Sequence, residues 1–403
     1  MALLSKRIQK VKPSATLQIT AQAKAMRAAG EDVIGLGAGE PDFDTPKHIK
    51  NAAIKSLKAG FTKYTAVGGI PELKNALIKK FKKDNNLTYE ADQIVVTVGG
   101  KQAFYNMAQA MLDAGDEVII PAPYWVSYPD MVLLADATPV IVKTKEENGF
   151  KITPDELKKA LTKKTKLVVI NSPSNPTGSA YTGDELFALG EVLKDYPDVY
   201  NVSDDIYEKI IYDGFEHFTM AEACPEIKDR SIILNGVAKA YSMTGWRIGY
   251  AAGPVEIIKA MTKIQSQSTS CATSFAQVAA AAAIGGSQKC VKPMVKAFCK
   301  RRDYVVKTLN SIPGISCINP NGAFYVYPNV GGLIGKKTPE GKEIKNTIDL
   351  AAHLLESKGV ALVPGSAFGL DPYVRISFAT SMADLKEALS RIKSVAKELT
   401  GEK

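Results

Sequence analysis

The segment 234–249, LNGVAKAYSMTGWRIG, places one lysine after an apolar run and one arginine eight residues later. The apolar run 231–234 is typical of a buried strand, so we expect Lys239 just beyond a strand end, where open α/β sheets bind ligands. A lysine amine that is desolvated or near another cation loses its proton readily and can attack an aldehyde. Arg247 is such a cation, and its guanidinium could also bind a phosphate. The competing interpretation of Lys239 is a solvated cation, one among 51 lysines and arginines.

Two acids and a tyrosine follow a second apolar run, in the segment 202–208, VSDDIYE. We expect Asp204 and Tyr207 to emerge together at a strand end. An aspartate buried beside a pyridine nitrogen keeps that nitrogen protonated, which makes the ring an electron sink. Because a paired Asp204-Asp205 is more often a solvated loop, this segment is weak evidence when taken alone.

Two further loops could hold the rest of such a ring. In the segment 171–178, NSPSNPTG, prolines stiffen the loop that carries Asn175, whose amide could donate to a phenolic oxygen together with Tyr207. The segment 94–103, IVVTVGGKQA, predicts a strand, a Gly-Gly pair and a helix start, so that backbone N–H groups point at an anion such as phosphate. Each segment alone is also compatible with an ordinary turn.

The four segments, in this order, resemble the class I aminotransferases of the fold-type I pyridoxal-phosphate enzymes, most closely their aspartate aminotransferase branch of bacterial and plastid type. The resemblance covers nearly the whole chain and includes VKPSAT at 11–16, GLGAGEPDFDTP at 35–46 and YVRISFA at 373–379. It implies the α/β, PLP-dependent transferase fold type I, with a mostly parallel central sheet in a large domain plus a smaller α+β domain. It also implies pyridoxal 5′-phosphate as the cofactor.

The resemblance assigns the cofactor's ring to five residues of this chain. Lys239 matches the lysine that holds the cofactor covalently and moves a proton at the substrate α-carbon. Asp204 matches the partner of the pyridine nitrogen. Tyr207 and Asn175 match the donors to the phenolic oxygen, and Trp125 matches the aromatic residue that stacks on the ring.

The phosphate group has matches of its own. The backbone amides of Gly100 and Lys101, together with Arg247, match the phosphate cradle of the family. Tyr64 matches a tyrosine that reaches the phosphate of the neighbouring subunit. The resemblance therefore implies a homodimer with shared active sites.

The substrate contacts follow from the same comparison. Arg375 matches the arginine that binds the substrate α-carboxylate, and its planar fork suits bidentate carboxylate binding. The competing interpretation of Arg375 is a salt bridge to a nearby acid. Gly39 offers a backbone contact to the same carboxylate. Lys101 is our candidate for a second carboxylate, and with Thr16 it resembles the pair that lets some members of this branch aminate prephenate.

The implied activity is an aminotransferase that moves the amino group of aspartate or glutamate to 2-oxoglutarate or oxaloacetate, with prephenate, giving arogenate, as a further acceptor. Amino acids and 2-oxo acids are then its small-molecule partners. Transamination of aromatic or other amino acids and a related pyridoxal-phosphate lyase stay open, because the outcome depends on which α-carbon bond lies perpendicular to the ring. A transcription regulator with an aminotransferase-like domain would need a winged-helix segment before Gly39, and we expect none.

Some positions depart from the family pattern. Ala238 and Gly236 stand where a hydroxyl residue is frequent, which predicts one donor fewer to the phosphate. Asp205 stands where glutamate is common, and we expect it to contact protein and not cofactor. The Asn175-Pro176 and Ala122-Pro123 bonds resemble family positions that are cis.

Composition agrees with this assignment and excludes other classes. With 45% hydrophobic and 23% charged residues, no apolar run near the roughly 20 residues of a membrane span and no signal-peptide core, we expect a cytoplasmic protein without membrane contact. The five cysteines and three histidines have no metal-ligand spacing, so we expect no metal. The net charge of +9 raises nucleic-acid binding, but lysines at 77–84 and 157–166 are spaced as solvated helix faces, so we expect no nucleic-acid partner.

The chain organisation predicts three parts. Residues 1–45 form an N-terminal segment that joins the small domain, residues 46–295 the large cofactor-binding domain, and residues 296–403 the C-terminal small domain. Helices alternating with short strands predict βαβ units and a mostly parallel sheet. The predicted strands of that sheet are 94–98, 117–120, 138–142, 167–170, 199–203, 231–235 and 248–252. Outside it we predict helices at 16–29, 275–284 and 293–310 and strands at 323–327 and 374–378.

Overall fold

A computed structural model describes residues 3–401 of the chain. The strands of the described part are β1 Ile34–Gly35, β2 Ile94–Thr97, β3 Glu117–Ala122, β4 Thr138–Lys143, β5 Thr165–Asn171, β6 Tyr200–Asp204, β7 Ser231–Gly236, β8 Gly249–Ala252, β9 Tyr325–Val326, β10 Val360–Ala361, β11 Val363–Pro364 and β12 Val374–Ser377. The helices are α1 Ala15–Ala28, α2 Lys47–Lys58, α3 Pro71–Asn85, α4 Gly100–Met111, α5 Ser127–Leu134, α6 Pro154–Ala160, α7 Gly183–Lys194, α8 Met220–Ala223, α9 Val255–Ser266, α10 Ser274–Gly285, α11 Val291–Leu309, α12 Thr347–Lys358 and α13 Met382–Thr400.

A seven-stranded sheet with the order β2-β8-β7-β6-β5-β3-β4 forms the centre of the fold. Strand β8 runs antiparallel to both its neighbours, whereas the strands from β7 to β4 are mutually parallel. Most positions of β2, β3, β5, β6, β7 and β8 are buried, as expected for a sheet covered by helices on both faces. The predicted mostly parallel central sheet is confirmed, with each of its seven strands at the expected place.

The strand register brings the carboxyl ends of three neighbouring strands to one edge. Asn171 pairs with Asp204, and Asp204 pairs in turn with Leu234, two residues before the end of β7. Because parallel strands end on the same side, the loops that follow β5, β6 and β7 converge there. This edge therefore collects the three loops that the sequence analysis singled out after strands.

A second, smaller layer is built from both ends of the chain. The antiparallel sheet β11-β12-β9 packs against α11, α12 and α13 through an apolar cluster that includes Phe298, Phe324 and Leu389. Near the N-terminus, β1 pairs in parallel with β10, with Ile34 opposite Val360. The pairing joins the first part of the chain to the last, and the division into 1–45, 46–295 and 296–403 stays a prediction.

Two local expectations need correction. The predicted strand 323–327 is shorter, Tyr325–Val326, because Ala323 adopts a φ of 56°, which interrupts extended backbone. The Ala122-Pro123 bond is cis as expected, but Asn175-Pro176 is not among the cis bonds of residues 3–401. The loop after β5 instead has its cis bond at Ser172-Pro173, and the Asn175 N–H donates to Asn171 Oδ1 at 2.8 Å.

Within residues 3–401, no helix has both the length and the apolar character needed to cross a bilayer.

Candidate active site

A cavity of about 350 Å³ lies at the converging strand ends, between the central sheet and the smaller layer. Of the residues predicted to form the site, all except Tyr64 line it: Thr16, Gly39, Gly100, Lys101, Trp125, Asn175, Asp204, Tyr207, Lys239, Arg247 and Arg375. These residues come from positions 16 to 375 of the chain. The tertiary structure therefore assembles one site from motifs that the sequence offers separately.

Lys239 lies three residues beyond the end of β7 and is held by the N-terminal loop. Its Nζ donates to the Gly39 carbonyl at 2.6 Å. Removal from water, together with the positive charges of Arg247 and Arg375, lowers the pKa of Lys239 to about 8. About a tenth of the amine is therefore uncharged at pH 7, far more than for an ordinary lysine, and the uncharged form is the one that a nucleophile or a general base requires.

Asp204 is the last residue of β6, and its carboxylate is held from two sides. The Tyr128 hydroxyl donates to Oδ2 at 2.5 Å, and the Ile206 N–H donates to Oδ1 at 3.3 Å. Burial raises the pKa of Asp204 to about 6, although these hydrogen bonds and Lys239 oppose the rise. The group is thus predominantly an anion at neutral pH, and it can accept a hydrogen bond from a cationic N–H.

Arg247 and the start of α4 form an anion-binding corner. A Cβ on Gly99, which has a φ of 84°, would lie 2.4 Å from Arg247 Nη2, so only glycine lets this guanidinium approach the helix start. Arg247 donates to the Thr244 carbonyl at 2.8 Å and to the Val98 carbonyl at 3.4 Å. The N-terminus of α4, which begins at Gly100, adds backbone N–H groups and the positive end of a helix dipole. This combination suits a phosphate.

Arg375 on β12 is a buried cation for which the described part of the chain offers no acidic partner. Its side chain is 2% exposed, and its Nη groups donate to Asn175 Oδ1 at 2.8 Å and to the Gly37 carbonyl at 2.6 Å. Nε has no partner, and within residues 3–401 no acid forms an ion pair with this guanidinium. The competing interpretation, a salt bridge, is therefore wrong for the described chain. A buried, unpaired guanidinium at a cavity suits an incoming carboxylate.

Trp125 and Lys101 form another wall of the cavity. The Lys101 Nζ lies 5.2 Å from the centre of the Trp125 ring, which meets Tyr128 edge-on at 5.1 Å. Burial and the charge of Arg247 lower the pKa of Lys101. This ammonium is a fourth cation on the cavity lining, beside Lys239, Arg247 and Arg375, and it is supplied by a different element from the one that carries Arg375.

Tyr64 does not reach the cavity of its own chain. Its side chain is 92% exposed. Asp205, by contrast, is buried and lies 3.7 Å from His217 Nε2, so it contacts protein, as expected.

Sequence reasoning missed two tyrosines of the site. Tyr128 binds Asp204 from α5, and Tyr325 lines the cavity from β9. The only available signal for Tyr128 was its position three residues after Trp125 in PAPYWVSY, at helical spacing. Tyr325 stands in a short strand of the small layer, and only the packing of that layer on the cavity reveals it.

The fold and this site are those of an enzyme that binds an anionic small molecule beside a reactive lysine, and comparison with known proteins gives its class. The model of the family "Aminotransferase class I and II" matches residues 31–392, and the chain belongs to this family. The predicted family assignment is thereby confirmed, and the protein is an aminotransferase.

The chain is similar over nearly its whole length to named relatives. It is 54% identical over 394 residues to the aspartate/prephenate aminotransferase of Nitrosomonas europaea, which covers 97% of this chain and 99% of that protein. It is 56% identical to that of Cereibacter sphaeroides, covering 98% of each chain. Among solved structures, the aspartate aminotransferase of Rhizobium meliloti superposes with a TM-score of 0.96 at 50% identity, covering 99% of this chain and 100% of that one. The aspartate aminotransferase of Thermus thermophilus with maleate superposes with a TM-score of 0.92 at 44% identity, covering 98% of this chain and 100% of that one.

Proposed function

We propose that this aminotransferase uses pyridoxal 5′-phosphate to move the amino group of aspartate or glutamate to 2-oxoglutarate or oxaloacetate. The observation that carries the proposal is the pairing of two unusual cations on one cavity. Lys239 has a pKa lowered to about 8, and Arg375 is buried without an acidic partner among residues 3–401. An amine of this kind suits covalent work on an aldehyde, and such a guanidinium suits a carboxylate.

The residues present fit the proposed cofactor. The corner of Arg247 and the α4 start accepts a phosphate, and it stays open because Gly99 has no Cβ. Asp204 would accept a hydrogen bond from a pyridine N–H, and Lys239 would supply the attaching amine. When bound, pyridoxal phosphate supplies an aldehyde carbon for covalent attachment and a ring that takes up the electron pair of the substrate α-carbon.

Each of four residues of the site then has its own role in the reaction. Lys239 Nζ removes the proton from the substrate α-carbon and holds it for return. Arg375 binds the α-carboxylate and so orients that carbon toward the amine. Asn175 keeps its amide nitrogen available as a donor, because its Oδ1 already accepts from Arg375. Asp204 stays ionised with the help of Tyr128 and keeps the ring nitrogen protonated.

Two groups on the cavity lining suit a second carboxylate of the substrate. Lys101 offers an ammonium there. Thr16, at the start of α1, lines the same cavity, and its Oγ1 is buried without a hydrogen-bond partner in the described chain. We infer that these two groups bind the distal carboxylate of dicarboxylic substrates and allow prephenate as a further acceptor. The names of the bacterial relatives, aspartate/prephenate aminotransferases, support this inference.

We also propose a homodimer with shared active sites. Tyr64 is 92% exposed, and Ile54, Leu57 and Phe61 nearby in the chain are 47%, 42% and 39% exposed. Large side chains that remain exposed in one segment are typical of a surface that a partner covers. A second copy of the chain on this surface would bring its Tyr64 to the anion-binding corner of the first copy.

The test is to incubate the purified protein with pyridoxal phosphate, aspartate and 2-oxoglutarate and to measure glutamate and oxaloacetate. Equal formation of the two products is expected. Release of ammonia from aspartate without an acceptor would favour the lyase alternative. Faster turnover of phenylalanine than of aspartate would favour the aromatic aminotransferase.

A further inference from the structure

A buried tyrosine, Tyr325, contacts three groups that the proposed function uses. Its side chain is 1% exposed and lines the cavity. Its hydroxyl lies 2.9 Å from the Tyr207 hydroxyl, and its ring centre lies 4.6 Å from the Arg375 guanidinium carbon. A Cβ on Gly39 would lie only 2.8 Å from the same hydroxyl, so the loop that holds Lys239 packs directly on it. One side chain of the small layer thus reaches the ring site, the carboxylate site and the N-terminal loop.

Hydrogen-bond counting assigns a direction to the tyrosine pair. In the pair as it stands, either hydroxyl can be the donor. A tyrosine hydroxyl has one proton to donate. If Tyr207 donates its proton to the phenolic oxygen of the cofactor, it can only accept from Tyr325. Tyr325 must then be the donor between the two.

We propose that Tyr325 is a positioning residue whose hydroxyl directs the proton of Tyr207 toward the cofactor and whose ring fixes the guanidinium of Arg375. This inference rests on the proposed function. A donor that itself accepts a hydrogen bond is polarised and binds an anionic oxygen more strongly. The ring acts separately, because a guanidinium over an aromatic face is attracted by the ring quadrupole.

A packing role is the competing explanation, since Tyr325 also contacts the rings of Phe324 and Tyr207 at 4.8 and 5.8 Å. The two explanations differ for Tyr325→Phe, which keeps the ring and removes the hydroxyl. If packing were the whole role, this variant would resemble the unchanged protein. If the hydroxyl orients Tyr207, its removal should change the pH at which the bound cofactor loses its proton.

The experiment is a pH titration of the visible absorbance of the pyridoxal-phosphate-loaded enzyme. Hydrogen bonds to an anionic oxygen favour the deprotonated form. Tyr325→Phe should therefore raise the midpoint by a few tenths of a unit, because this variant weakens the Tyr207 hydrogen bond to that oxygen but leaves it in place. Tyr327→Phe is the matched control, because its buried hydroxyl donates to the Leu370 carbonyl at 2.8 Å and has no bond to Tyr207. Its midpoint should equal that of the unchanged protein.

Two further variants separate the hydroxyl from the ring. In a Tyr207→Phe background, Tyr325→Phe should shift the midpoint no further, because the hydrogen bond from residue 207 to the cofactor is already absent. Tyr325→Leu should raise KM for aspartate about three- to thirtyfold beyond Tyr325→Phe, the range for losing a cation–π contact.

The outcomes distinguish this inference from the proposed function. An unmoved midpoint in Tyr325→Phe, or the same shift with and without Tyr207, overturns the role of the hydroxyl. Equal KM values for the Phe and Leu variants overturn the role of the ring. If the unchanged protein binds no pyridoxal phosphate, the proposed function fails first, before any variant is compared, and the inference fails with it.

Discussion

The Nζ of Lys239 donates a hydrogen bond of 2.6 Å to the backbone carbonyl of Gly39, which lies 200 residues earlier in the chain. The bond ties the end of the β7 loop to the N-terminal loop that begins beyond β1. It keeps the amine on the cavity lining, where burial, together with the charges of Arg247 and Arg375, lowers its pKa. The reactivity of this lysine is therefore a property of three chain segments together.

The first prediction concerns covalent attachment. Borohydride treatment of the pyridoxal-phosphate-loaded protein, followed by peptide mapping, should place the label on Lys239, because this amine is the one with a strongly lowered pKa on the cavity. Lys239→Ala should lose at least about 100-fold in kcat, the lower end for removing a positioned acid–base group. Lys74→Ala is the control, since Lys74 is half-buried outside the cavity and donates to the Ala91 carbonyl. A label on another lysine would refute the assignment.

The second prediction concerns pH. The uncharged fraction of the Lys239 amine rises through a pKa of about 8, so the rate at which the cofactor-free protein captures pyridoxal should climb with a midpoint near pH 8 and level off about one to two pH units above it. Arg375→Met removes one of the charges that lower this pKa, so the capture rate of this variant should rise at a higher pH. Arg391→Met is the control, because Arg391 pairs with Asp32 and Glu387 away from the cavity. Stopped-flow absorbance measures the rates, and an identical profile for Arg375→Met would contradict the electrostatic explanation.

The third prediction tests whether Tyr64 crosses between subunits. Tyr64→Phe should weaken cofactor binding about tenfold or more, the cost of one hydrogen bond to a charged group. Mixing it with excess inactive Lys239→Ala chains should restore activity at limiting cofactor, because the hybrid has one site with an intact Lys239 and the partner's intact Tyr64. Chains carrying both Lys239→Ala and Tyr64→Phe should restore nothing. Proven subunit exchange without any recovery would show that Tyr64 serves its own chain.

The fourth prediction concerns substrate choice. Lys101→Ala should lower kcat/KM for aspartate about tenfold to a hundredfold, because losing one charged hydrogen bond costs about 1.5–3 kcal/mol. Activity with alanine or phenylalanine, which lack a distal carboxylate, should change little in the same variant. Equal losses on both kinds of substrate would show that Lys101 serves the cofactor instead, and the dicarboxylate preference would need another cation.

Local patterning was sufficient for the strands and for most of the site. Apolar runs bounded by Gly, Pro and polar residues located the seven strands of the central sheet, because burial on both faces leaves little choice of residue type. Asp204 and Lys239 follow those runs directly, so their place at the strand ends could be read from the chain. The cis bond was misplaced from Ser172-Pro173 to Asn175-Pro176, since both prolines are compatible with a turn in the same loop.

The chain's local patterns indicate which residues could do the chemistry: an amine, carboxylate, guanidinium or hydroxyl placed after a strand or before a helix. The tertiary structure decided which of them share a cavity and in what state of charge. The pKa of Lys239 depends on Arg375, and the orientation of Arg375 depends on Gly37, Asn175 and Tyr325. These contacts join residues far apart in the chain, and desolvation exists only once the small layer covers the sheet edge. No local pattern records such contacts, which is why Tyr128 and Tyr325 emerged only from the fold.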